Sequence, residues 1–169
     1  MANREKSLDN GVMTEPNDRY TLERFVRTQN EGETYGQVLA ELRRGRKRGH
    51  WMWFIFPQIA GLGSSPMAQR FAISSLAEAR AYLHHPLLGP RLRESAELAL
   101  AASGTAHATA ADATAVEIFG GIDSIKLRSS MTLFLRAAGP GAGNEVFERV
   151  LDRYFDGEAD ESTDRLLGS

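Results

Sequence analysis

Cysteine is absent from this chain of 169 residues. Its absence excludes disulfides, thiolate-held metals and a cysteine nucleophile, and it fits a reducing compartment. No apolar run approaches the ~20 residues that a membrane-spanning helix needs. The opening stretch, MANREKSLDNGVMTEPN, is polar and has no hydrophobic core of the kind a secretion signal requires. The expected location is therefore the cytoplasm, with no membrane partner. An excess of basic charge is missing too: the formal net charge is -2 and the isoelectric point about 6.1. A protein built around nucleic acid wants a broad basic surface and a domain isoelectric point above ~9, so a nucleic-acid partner is disfavoured. The histidines, His50, His84, His85 and His107, match no metal-ligand spacing, and neither a metal nor a cofactor is expected.

What is present reads as a run of helices. Residues 1–16 form a polar tail closed by Pro16, after which Asn17 can cap a first helix with Leu22, Phe25, Val26 and Gln29 on one stripe. Tyr35, Val38, Leu39 and Leu42 repeat that spacing until Gly45 and Gly49 break it. Ser65 before Pro66 marks another start, and Ser75 with Glu78 three residues later reads as a capping box. A leucine- and alanine-rich helix follows His84-His85-Pro86, then a small-residue connector, GTAHATAADAT. A brief helix through Val116 and Ile118 stops at Gly120-Gly121, and Asp123 can cap the next one. From 145 to 155 a stripe of Val146, Phe147, Val150, Leu151 and Tyr154 completes the pattern. The expected fold is all-α, a compact single-domain bundle of helices with a central helix near 123–138. Residues 17–156 would form the domain and 157–169 an acidic extension. One segment is ambiguous: Trp51–Phe56 suits a buried strand as well as a helical turn.

Aromatic residues are scarce, 8% of the chain, yet four of them fall between 51 and 56. Large rings bury the most apolar area per residue, so this block serves a core. It is also framed by polar groups: His50 before it, Gln58 after it, and then the loop GLGSS. In that loop Gly61 and Gly63 permit close backbone approach, and Ser64, Ser65 and amides at the next helix start could hold an anion. Just upstream, Arg43, Arg44, Arg46, Lys47 and Arg48 stand against the single Glu41. Guanidinium forks suit phosphate oxygens, but a basic run at a helix C-terminus also opposes the helix dipole. Both readings stay open.

The second unusual stretch is GGIDSIKLRSSMTLF. Its helix is apolar nearly all round, while Asp123, Lys126, Ser129 and Ser130 share one face. A lysine there must find an acidic partner or serve a ligand, so an Asp123–Lys126 pair and a polar pocket are the two alternatives. Lysine precedes serine, which is the wrong order for a serine-x-x-lysine nucleophile.

The block HWMWFIFPQIAGLGSS, with FVRTQ, LAEARAYLHHPLLGPRL and GGIDSIKLRSSMTLF, resembles the uncharacterised bacterial family DUF1810, whose members are often labelled calpastatin. The resemblance spans about residues 18–156. It implies a compact all-α domain, favours helix or turn for the aromatic block and implies no activity. With such a fold, Gln29, His50, Trp51, Gln58, Gly63, Ser65, Lys126 and Ser130 could line one cleft. His50 and Lys126 are its candidates for catalysis. The expected ligand combines a flat ring with phosphate or carboxylate, as nucleotide-like molecules do. The alternative is a protein-interaction module in which the 43–48 run meets an acidic partner.

Overall fold

The computed structural model describes residues 18–102, 114–140 and 143–168. The polar tail, the Asn17 cap, His107 and nearly all of the small-residue connector lie outside these residues. Ten helices are formed among them, in chain order α1 (Glu23–Asn30), α2 (Thr34–Arg44), α3 (Met52–Ile55), α4 (Pro66–Arg70), α5 (Leu76–His84), α6 (Leu88–Ala101), α7 (Ala115–Phe119), α8 (Gly121–Ala138), α9 (Glu145–Phe155) and α10 (Glu161–Leu166). There is no strand among the described residues, only an isolated parallel bridge between Ile59 and Ile73. The fold is all-α, and none of the described helices is long and apolar enough to cross a membrane.

The stripes seen in the sequence become the packing faces. Phe25 and Gln29 of α1, Val38 and Leu42 of α2, and Val146, Phe147, Val150 and Leu151 of α9 are all buried. α8 is the hub: it packs against α3, α5, α7, α9 and α10, and from Ser129 to Phe134 every residue is buried. A helix apolar on every side can satisfy itself only inside such a bundle. Through the centre runs a chain of rings: Phe54 on Phe71 (5.6 Å), Phe71 on Phe25 (5.5 Å), Phe25 on Tyr82 (5.1 Å), Tyr82 on Phe134 (5.3 Å) and Phe134 on Phe147 (6.0 Å). Tilted and edge contacts of this kind add to the area that the rings bury.

The helix ends follow side-chain chemistry, with differences from the expectation. Ser65 Oγ accepts the Ala68 amide at 3.1 Å and Ser75 Oγ the Glu78 amide at 3.1 Å. The Glu78 carboxylate does not complete that box; it turns to the Ser74 amide and hydroxyl and to Arg24 (3.2 Å). A full capping box forms elsewhere, between Thr114 and Glu117. Asp123 does not cap α8 either, because that helix already starts at Gly121 and leaves Asp123 inside its first turn. His85 closes one helix and opens another: its Nδ1 accepts the amides of Leu87 and Leu88.

The acidic stretch after 156, expected as an extension outside the domain, carries α10, and α10 lies on α8. Three α8 residues spaced by four hold it. Arg128 donates to the Glu158 and Ala159 carbonyls, Thr132 Oγ1 accepts the Asp160 amide at 2.9 Å, and Arg136 grips Asp164 through two bonds of 2.9 and 3.0 Å. Asp160 caps the helix by accepting from the Thr163 amide and hydroxyl, and Thr163 is fully buried.

Candidate functional site

The aromatic block settles as a helical turn, and that turn splits its rings. Trp51, Phe54 and Phe56 go inward, while Trp53 is only half-buried. Trp51 and Phe56 meet Phe119 of α7 at 6.4 and 6.2 Å. Glu41 organises the loop before them. Its carboxylate accepts the amides of Arg48 (3.0 Å) and Gly49 (2.7 Å) and the Trp51 indole N–H. Gly45, with φ of 69°, ends α2 in the left-handed conformation and lets the chain turn back onto Glu41. Lys47 then pins the loop to the bundle: its amide bonds the Ile118 carbonyl at 2.8 Å and its ammonium pairs with Asp123 at 2.7 Å.

On the other side of the turn, Trp53 walls a groove of about 480 Å³, within the range of small-molecule sites. It is lined by Gln58, the 62–65 loop and Ala68, then Ile122, Ile125, Lys126 and Ser129 of α8, and Asp160 and Ser162 at the start of α10. Gly63 is required by close approach, since a Cβ there would sit 2.7 Å from the Ala68 methyl. The Lys126 ammonium lies 4.5 Å from the centre of the Trp53 ring, a cation–π arrangement, and 3.5 Å from Asp123. Asp123 thus serves two lysines, at 2.7 Å and 3.5 Å. The trio carries a net positive charge, and Lys126 holds the longer and weaker half of that arrangement.

Of the eight residues expected to line one cleft, Gln58, Gly63, Ser65 and Lys126 converge on this groove. The others do not line it. Gln29 is buried, donating to the Phe54 carbonyl (2.8 Å) and accepting from Arg91 (3.2 Å), so its amide ties α1 to α3 and α6. Trp51 is bonded to Glu41 inside the core, and His50 is exposed outside the groove. Ser129 and Ser130 part company, because successive helical residues diverge by about 100°. Ser129 reaches the groove and bonds the Ile125 carbonyl, while Ser130 is fully buried, on the stripe of Leu127, Met131 and Phe134, with no hydrogen-bond partner for its hydroxyl. The Ala68 amide of the α4 start is taken by Ser65 itself.

Several lining residues were not singled out. Trp53 was read with the rest of the aromatic block as core, and Ile125 with the apolar surround of α8. Asp160 and Ser162 lay in the supposed extension, although an aspartate three residues before a threonine is a readable helix start. Perturbed acid–base groups lie elsewhere. Burial pushes the Glu78 carboxyl up, opposed by the charge of Arg24, but its contacts are Arg24 and Ser74, internal to the bundle. Among the described residues no cluster of three histidine or acidic side chains could hold a metal.

These features define an all-α fold with a ring-walled groove beside its central helix. The chain belongs to the DUF1810 family of proteins of unknown function, whose family model matches residues 19–167. The match therefore includes α10. Among solved structures the chain is similar to the conserved hypothetical protein Rv1873 from Mycobacterium tuberculosis, with 49% identity and a TM-score of 0.78. The alignment covers 90% of this chain and 99% of that one. No curated protein matches.

Proposed function

We propose that the chain binds a small, nucleotide-like molecule in the groove between the 62–65 loop, α8 and α10, and that the ligand joins a flat ring to an anionic group. The observation that carries this reading is the Lys126 ammonium held over the Trp53 ring, 4.5 Å from its centre, in a groove with Gln58 and Ser64 at hand. A cation with only a long ion pair can exchange its carboxylate for a ligand's phosphate or carboxylate at little cost. Trp53, Leu62, Ile122 and Ile125 supply apolar wall for the ring. The Gln58 amide and the Ser64 hydroxyl make no side-chain hydrogen bond among the described residues and are available for its polar edge. Lys126, and not His50, is the groove's titratable donor.

The test is a thermal-shift screen of nucleotides and sugar phosphates against the wild type and Lys126→Ala. A ligand at 100 times its Kd adds about 2.7 kcal/mol to the native state. The expected result is a compound that raises the wild-type Tm and leaves a folded Lys126→Ala unmoved. A wild type indifferent to the whole set, or a variant that responds equally, ends the reading.

A further inference from the structure

Each of the two tryptophans carries a lysine, and both lysines meet at one carboxylate. The Lys47 ammonium lies 5.0 Å from the centre of the Trp51 ring, as that of Lys126 lies 4.5 Å from Trp53. Lys47 takes one Asp123 oxygen, Oδ2, at 2.7 Å, and Lys126 faces the other, Oδ1, at 3.5 Å. The two cations are not equally placed. The Lys47 side chain is 7% exposed and that of Lys126 21%. Lys47 is also held at both ends, its ammonium donating to the Gly49 carbonyl and its amide to the Ile118 carbonyl. An ammonium so enclosed would stand uncompensated without its carboxylate, whereas a partly exposed one can turn to water or to a ligand. Asp123 therefore belongs to Lys47 first. Lys126 has no second acid: among the described residues Asp123 is its only ion-pair partner, and Asp160, which lines the groove, accepts from the Thr163 amide and hydroxyl.

We propose that Lys47 is a positioning residue for the groove: by holding Asp123 it keeps that carboxylate from neutralising Lys126, and so sets how strongly the groove attracts an anion. Lys47 itself lies outside the groove lining and acts through Asp123. This role rests on the reading of the groove as a site for a ligand with an anionic group, and it names what controls the site's charge. With Lys47 neutral, Asp123 has one cation left and closes on Lys126, so an arriving phosphate or carboxylate must break a full-strength ion pair. With Asp123 neutral, Lys126 is released whatever stands at position 47. Plain charge counting leads elsewhere: removing the Lys47 charge would then weaken an anion by the same factor whether or not Asp123 is ionised. The two accounts part on the double substitution.

The test is a cycle of full-length chains: the parent, Lys47→Met, Asp123→Asn and the two together, all with Trp51→Phe so that Trp53 is the sole tryptophan. Methionine keeps the apolar stem, asparagine keeps an acceptor for Lys47, and phenylalanine keeps a ring beneath it. Circular dichroism checks the fold, and Asp123→Ser stands in if Asp123→Asn fails that check. The first readout needs no ligand. Iodide quenching of Trp53, divided by quenching with neutral acrylamide at constant ionic strength, reports the charge that an anion meets at the ring. The second readout is the Kd of inorganic pyrophosphate. Lys47→Met should lower the iodide ratio and weaken pyrophosphate roughly threefold to fivefold, the reach of a partly exposed ion pair. Asp123→Asn should raise the ratio and tighten pyrophosphate by a similar factor. Adding Lys47→Met to Asp123→Asn should then change neither. An additive cycle, with the same loss from Lys47→Met in both backgrounds, overturns the proposal, and so does Lys47→Met without effect on the iodide ratio. Pyrophosphate that binds none of the chains, beside an iodide cycle that is non-additive as expected, ends the anionic-ligand reading and leaves the control of Lys126 by Lys47 in place.

Discussion

Trp51 and Trp53 stand two residues apart in the same helical turn, yet they belong to different parts of the molecule. Trp51 is enclosed: its indole N–H is bonded to Glu41, Lys47 covers its ring at 5.0 Å, and Phe56 and Phe119 complete the contact. Trp53 has one cation over its ring and an open groove beside it. Two residues on a helix are 200° apart, so a short helical turn must send them to nearly opposite sides. Had the block been a strand, positions 51 and 53 would have shared a face. One tryptophan is therefore enclosed in the fold, and the other is left half-buried at the wall of the groove.

The sharpest way to break that comparison is to truncate each ring in turn. Trp51→Ala should cost about 3–5 kcal/mol, the range for a large aromatic removed from a core, and Trp53→Ala only about 1–2 kcal/mol. Urea titrations of the two variants measure the difference; equal losses would mean that both rings are structural. Next in size is Glu41→Ala. It leaves the Trp51 N–H and two loop amides without their acceptor and should cost about 2–3 kcal/mol, read by the same titration. A negligible loss would show that Glu41 does not organise the closed side.

The smallest effect concerns the ion pair that clasps α10 to α8, outside the groove. The Arg136 hydrogen bonds hold the Asp164 carboxyl below its ordinary value. A lowered folded-state pKa contributes stability that is fully present above the unfolded value, ~3.9, and is lost as pH falls through the folded one. The wild type should thus exceed Asp164→Asn by at most ~1 kcal/mol near neutrality, a partly exposed pair, and the gap should close below about pH 4. Denaturation curves at both pH values check it; a gap that widens on acidification would have the wrong sign.

Much of the fold was legible because helical stripes are local. The α9 stripe from Val146 to Leu151, the Ser65 cap and the Gly45 stop each depend on residues within two turns of one another, and each appears where the sequence puts it. The site was legible only in part. Gln58, Gly63, Ser65 and Lys126 could be gathered because they are polar or small residues in apolar surroundings. The same criterion also gathered Gln29, Trp51 and Ser130, which are buried within the bundle. A buried amide bonded to a backbone carbonyl and an amide lining an open groove look alike in sequence, since the difference lies in a contact 25 residues away, as between Gln29 and Phe54. The role of α10 was hidden for a related reason: its anchors, Arg128, Thr132 and Arg136, lie some 30 residues upstream and read as ordinary surface positions of a helix.

The way α10 is attached has a consequence in time. It is a helix of six residues whose one buried member is Thr163, and its bonds to α8 are polar and partly wet. Segments held in that fashion open at a small fraction of the free energy that opens a core helix. The groove therefore has two unequal walls, with α10 expected to open at lower free energy than α8, and amide hydrogen exchange would show the difference. A local opening of those few residues would widen the groove and leave α8 and the rest of the core in place.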